Sequence, residues 1–237
     1  MSNQQLRTIC ASEIHADPFS ALRLAGHGRI YQAGENLYQQ ADPCTGVYWV
    51  ESGLVGFRKV DEDGTSMLVN VAHHGDLVGY GPLLSDEEHM TSAEVLKPGR
   101  MYFIEEKTMR RLIRDVPGLL AALLRQATHD LGALEDKYLQ MATRQAHMRL
   151  ASLLLSFSRE EPARSKPGSC SFQLPIMNKD IADLIGIRPE TLSRAIGQLR
   201  SSGLADLHGR TVHIPNMTKL ARICGGASQL TVTDYAA

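Results

Sequence analysis

NKDIADLIGIRPETLSRAIGQLRSSGLADLHGRTVHIPN, residues 178–216, decides how this chain is read. Asn178 has the chemistry of a helix N-cap, and Ile181, Ala182, Leu184 and Ile185 give the following helix an apolar side. Gly186 supplies a turn, because the residue after a short helix often needs a positive φ. Pro189 stands where a second helix would begin, a position at which its missing N–H costs nothing. In that helix Leu192, Ala195, Ile196 and Leu199 fall on one side, and Glu190, Ser193, Arg194 and Gly197 fall on another. Ser201-Ser202-Gly203 ends the helix, and Leu204–Leu207 and Thr211–Ile214 read as two short strands about His208-Gly209-Arg210. Helix, turn, helix and β-hairpin in this order make a winged helix, which lays its second helix in the major groove of DNA. The exposed face carries a carboxylate, a hydroxyl and a guanidinium, groups that hydrogen-bond base edges.

Charge is divided to match. Residues 144–224 hold 12 Lys plus Arg against 6 Asp plus Glu, although the whole chain has 25 against 26. A basic C-terminal part beside an acidic N-terminal part is the electrostatic footprint of a DNA binder whose other half stays off the phosphates. At 237 residues the chain is long enough for two domains. No apolar run approaches a membrane span, and Met1–Ser20 lacks the charged-then-apolar layout of a signal peptide. A cytoplasmic protein with no membrane partner is expected. Cys10, Cys44, Cys170 and Cys224 have no paired spacing, so neither a disulfide framework nor a structural metal site is expected.

From Gly26 to about Ile104 the chain reads as β. Gly53, Gly64 and Gly75 fall eleven residues apart, each closing a polar turn, with strand-like runs at Val47–Val50, Leu54–Val60 and Met67–Ala72. Pro98-Gly99 makes another turn before Met101–Ile104. Short strands at that spacing predict a sandwich or a double-sheet jelly roll, a fold able to enclose a small ligand. After Pro117 the period changes. Leu120, Leu124, Ala127, Leu131, Leu134, Tyr138 and Met141 step by alternating fours and threes, a heptad seam that predicts a dimerisation helix. A two-fold dimer would set two reading helices about one DNA turn apart, so a palindromic site is expected. Gln145–Ser158 reads as the first helix of the DNA-binding part, and Glu161–Ser171 as a loop. The α+β organisation expected is an N-terminal segment (1–25), a β-roll sensor (26–116), a dimerisation helix (117–143), a winged helix (144–224) and a flexible tail (225–237).

The order β-roll, long helix, winged helix resembles the cyclic-AMP receptor / fumarate-nitrate regulator (Crp–Fnr) family of bacterial transcription factors, over about Gly34 to Cys224. Gly75-Asp76-Leu77-Val78-Gly79-Tyr80 is similar to that family's glycine-acid-leucine motif, and Glu190-Thr191-Leu192-Ser193-Arg194 to the E-x-x-S-R of its fumarate-nitrate branch. The resemblance implies a homodimer on half-sites like TTGAT…ATCAA. Arg194 would meet guanine O6 and N7, Glu190 an amino group of the other strand, and Ser193 a thymine. It further implies that Thr191, Arg210 and Lys179 touch phosphate, which sets register without reading sequence. A regulator without catalysis is expected, with RNA polymerase as a partner and activation the commoner mode.

Departures from the family narrow what the roll senses. Where cyclic-AMP binders carry Arg-Ser, this chain has Met90-Thr91-Ser92-Ala93, with Thr91 in the arginine's place. A buried phosphate without its guanidinium loses its charge-assisted bonds, so cyclic AMP is not the expected effector. Oxygen sensors of the family hold an iron–sulfur cluster on four Cys. Here Cys10 is alone near the N-terminus and Tyr102 stands where the central Cys would be, so no cluster is expected. Four readings stay open: haem on His15, His27, His73, His74 or His89; oxidation of Cys10 or Cys44; an organic ligand near Gly75, Asp76, Leu77, Tyr80, Thr91 and Ser92; or no effector. Jelly rolls also form cupin metal enzymes, but His73-His74 lacks the H-x-H spacing that puts two imidazoles on one strand face.

Overall fold

The computed structural model describes residues 19–160 and 168–224. Expectations for the tail at 225–237, for His15 and Cys10, and for most of the 161–171 loop lie outside these residues. Contacts divide the chain into two compact units, with the division between Asp130 and Leu131.

Among the described residues the first unit is an eight-stranded roll of two antiparallel sheets. The strands are β1 (His27–Tyr31), β2 (Asn36–Tyr38), β3 (Gly46–Val50), β4 (Leu54–Val60), β5 (Ser66–Ala72), β6 (Leu77–Val78), β7 (Ser92–Lys97) and β8 (Gly99–Glu105). One sheet runs β1-β8-β3-β6 and the other β2-β7-β4-β5. Gly53, Gly64 and Gly75 close turns at φ of +98°, +79° and +91°. Alternation along the strands splits the apolar residues between two cores. Val50, Met101, Val55 and Val95 belong to a core drawn from both sheets. Val47, Trp49, Tyr102 and Ile104 instead meet helices. Those are α1 (Ser20–Ala25), α2 (Tyr80–Ser85), α3 (Glu106–Asp115) and the start of α4 (Leu119–Thr143). Because β3 is covered on both faces, it reads in sequence as an unbroken apolar run. None of the three short helices is among the expected elements; α1 and α2 have only six residues each, whereas α3 carries Met109, Leu112 and Ile113 at helical three-and-four spacing.

In the second unit, α5 (Ala146–Glu160), α6 (Asn178–Ile185) and α7 (Pro189–Ser201) surround a core that includes Leu150, Leu154, Phe157, Ile181, Leu192 and Leu199. A three-stranded sheet follows the order β10 (Asp206–His208), β11 (Thr211–Ile214), β9 (Cys170–Gln173), and α8 (Met217–Ile223) packs on α5. Three sequence expectations are corrected here. Asn178 is the first helical residue rather than the cap. Met177 precedes it in extended conformation, and the Asp180 carboxylate accepts the Met177 N–H at 3.2 Å. The loop ends earlier than Ser171, since Cys170 and Ser171 already pair with Ile214 and His213. The first wing strand starts at Asp206 and includes His208, because Leu204 and Ala205 are buried while closing the helix C-terminus, both their N–H groups donating to Leu199 O.

Candidate nucleic-acid interface and sensor cavity

Helix α7 presents its faces as the sequence divides them. Leu192, Ala195 and Leu199 are buried, while Glu190, Ser193, Arg194 and Gly197 are exposed. Ile196, expected on the apolar side, is half-buried at its edge. Neither Arg194 nor Glu190 has a side-chain hydrogen bond among the described residues, so the guanidinium fork and the carboxylate are open to an incoming partner. Ser193 Oγ donates to Pro189 O at 3.2 Å, within the helix, leaving its lone pairs outward. Lys179 and Arg210 are exposed and Thr191 half-buried. Arg200 ties the end of α7 to the wing. Its Nε donates to Asp206 Oδ1 at 2.5 Å and its Nη2 to Leu207 O at 2.9 Å.

Gly186 holds the two helices at their angle. It sits at φ +64°, and its N–H reaches Asp183 O while the next N–H reaches Ala182 O. A Cβ here would collide with the Met141 methyl. Met141 is the last residue of the expected dimer seam, yet it lies partly over this turn of its own chain, 44% exposed. The other large seam residues are open: Leu120, Leu124, Leu131, Leu134 and Tyr138 are 46–76% exposed, with Ala127 half-buried. The opposite side of α4, at Leu119, Ala122, Leu123 and Gln126, is buried on the roll.

The roll has a cavity of about 420 Å³. Asp76, Leu77, Tyr80 and Thr91 line it as expected; Gly75 and Ser92 do not. Gly75 closes a turn, its N–H donating to Val50 O at 2.9 Å, and Ser92 Oγ accepts the Gln40 N–H at 2.9 Å. The sequence reading missed the contributions of Tyr38, Gln126 and Asp130. Gln126 is buried with its Nε2 donating to Leu77 O at 3.2 Å, and Tyr80 donates its hydroxyl proton to Asp130 Oδ2 at 2.5 Å. Burial first, then the Asp130 carboxylate, pushes the Tyr80 hydroxyl pKa up. Asp76 accepts the His73 N–H through Oδ2 at 2.8 Å, and burial raises its carboxyl pKa. Among the described lining residues there is no Lys or Arg, so a phosphate would meet carboxylates where it needs a cation.

The remaining sensor residues are dispersed. His89 is the one candidate haem ligand that lines the cavity among the described residues. His27 is exposed, and His74 is exposed with Nδ1 2.7 Å from Glu51 O. His73 is half-buried and off the cavity lining, its backbone N–H donating to Asp76 Oδ2. Cys44 is half-buried, its Sγ facing the carbonyls of Gly46 and Gly79 at 3.6 and 3.9 Å. Burial raises its pKa, which favours the unreactive thiol. Tyr102 is buried, its ring 5.7 Å from that of Trp49. Among the described residues no helix is long and apolar enough to cross a membrane.

Residues 28–116 match the cyclic nucleotide-binding domain and residues 148–223 the Crp-like helix-turn-helix domain. The fumarate and nitrate reduction regulatory protein of Escherichia coli is 26% identical over 194 residues, 82% of this chain and 77% of that protein. FixK2 from Bradyrhizobium japonicum superposes with a TM-score of 0.64 at 26% identity, over 86% of this chain and 99% of that one. A CRP/FNR-family transcriptional regulator from Thermus thermophilus shares the fold, with a TM-score of 0.64 at 22% identity over 84% of this chain and 98% of the other. Roll, long helix and winged helix thus occur here in one order and with both domain families matched, and the chain belongs to the Crp–Fnr family of DNA-binding transcription regulators.

Proposed function

We propose that this protein acts as a homodimer on a palindromic site with TTGAT-like half-sites, each read by the exposed face of α7. The observation that carries this reading is the separation of that helix into a buried Leu192-Ala195-Leu199 side and an open Glu190-Ser193-Arg194 side. Arg194 donates two parallel bonds to guanine O6 and N7, Glu190 accepts from a base amino group, and Ser193 lies against a thymine. Lys179, Thr191 and Arg210 hold phosphates and fix the register. The exposed apolar residues of α4 supply the dimer seam. An effector held in the roll shifts the seam helices between two states and so moves the reading helices into or out of register, with contact to RNA polymerase making the bound state an activator. The role is regulatory, without catalysis.

Fluorescence anisotropy on a duplex with two such half-sites tests this. Arg194→Ala is expected to cost about 1–3 kcal/mol and to relax discrimination at one guanine. Equal binding of the unmutated protein to the palindrome and to a scrambled duplex would sink the assignment.

A further inference from the structure

The lining of the roll's cavity identifies the kind of molecule it suits, an inference that rests on reading the roll as the effector-binding half. One wall is a ring stack: Tyr38 and His89 lie 3.6 Å apart between centroids and 11° from parallel. Phe57 and Leu77 add apolar surface. Against these stand the Asp76 and Asp130 carboxyls, with Glu87 and Glu88 also on the lining. No ammonium or guanidinium among the described lining residues offsets them. His89 is only 4% exposed and lines the cavity. Its imidazole nitrogens are not among the fully enclosed atoms that lack a partner, so what exposure the ring keeps is towards the cavity, where a ligand's donor can reach it. Asp76 also lines the cavity, its Oδ2 taken by the His73 N–H. Burial lowers the pKa of His89 and raises that of Asp76, so the imidazole is poised to accept and the carboxylate gains from a neighbouring cation.

We infer that this cavity binds a small organic cation, an ammonium carried on a flat apolar body, rather than a phosphate or a carboxylate. The ammonium donates to Asp76 Oδ1 and to an imidazole nitrogen of His89, and the apolar body lies along the Tyr38 face, where a cation is also attracted to the ring. The volume of about 420 Å³ is that of a small-molecule site. Asp130 stands on α4 and holds the Tyr80 hydroxyl, so a cation drawn to that carboxylate would act directly on the seam helix.

Isothermal titration of the full-length protein with phenethylamine, with 3-phenylpropionate as its anionic counterpart, and with cyclic AMP decides the matter. Phenethylamine is expected to bind once per chain and the two anions not at all. Asp76→Asn is expected to weaken the amine about tenfold or more. Thr91→Arg, which places a positive charge in the cavity, is expected to abolish amine binding with the Asp76 carboxylate intact. No binding of phenethylamine at millimolar concentration, or binding of either anion as tight as the amine, overturns the inference. Anisotropy on the palindromic duplex keeps the two readings separate. Loss of amine binding with Arg194-dependent DNA binding intact removes the cation and leaves the regulator; amine binding without palindrome recognition does the reverse.

Discussion

Asp76 carries a cost that the rest of the roll absorbs. Its carboxyl is held against the His73 N–H while burial disfavours the charge, so its pKa in the folded chain lies above the ordinary carboxylate value. For an acid shifted in this direction the native state is penalised once the group ionises. Stability is therefore fullest below the unfolded-state pKa and declines as pH rises towards the raised native one. Asp76→Asn removes the charge and keeps an oxygen for the His73 N–H. The variant is expected to unfold at a higher urea concentration than the parent at pH 7, with the gap narrowing at pH 4. A variant no more stable than the parent at pH 7 would mean that the carboxylate is solvated or paired better than its surroundings indicate. Single residues differ in how far the sequence discloses them. Arg194 and Glu190 are legible because helical spacing fixes their side of α7. Tyr38, Gln126 and Asp130 are not, because they come from an early strand and from a helix far along the chain, and only the closed roll brings them to one cavity.

Period carries most of what is legible at the scale of elements. Strands β3, β4 and β5 fall where alternating or unbroken apolar runs lie between glycine turns, and α4 and α7 follow their three-and-four spacings. Elements too short to show a period escape: α1, α2 and the four-residue β9, which gains its place by pairing with β11. The α6–α7 turn joins both kinds of information. Its glycine is legible from sequence, whereas the contact above it is tertiary, with Met141 from the end of α4 lying over Gly186. Gly186→Ala must hold an alanine at φ +64° and push the Met141 methyl aside. A left-handed alanine alone costs roughly 1–2 kcal/mol, and the displaced thioether adds to it. A thermal melt of the variant should show a lower midpoint. Met141→Ala in the same background relieves the collision and is expected to return part of that loss; no rescue would place the whole effect in the backbone.

Across the whole molecule the strongest unexplained quantity is apolar surface. Leu120, Leu124, Leu131, Leu134 and Tyr138 lie along one line of α4, all 46–76% exposed, while at the N-terminal end of the helix Leu119, Ala122, Leu123 and Gln126 are buried on the roll. Isolated exposed leucines are ordinary, but a continuous stripe of them marks a surface that a partner covers. In the proposed dimer that partner is a second α4, because a heptad repeat would keep matching residues facing across a two-fold axis. Recognition of the proposed palindrome would then depend on the seam, because two reading helices about 34 Å apart would contact a site that neither reads alone. Replacing Leu131 and Leu134 together by Glu sets like charges against each other across that axis and leaves the buried side of α4 untouched. Sedimentation equilibrium is expected to give a dimer for the parent and a monomer for the variant. The monomer should bind the full palindrome no more tightly than an isolated half-site, while far-ultraviolet circular dichroism remains that of the parent. A variant that stays dimeric would move the interface off this stripe. A monomer that still prefers the palindrome would show instead that the DNA, rather than α4, brings the two winged helices together.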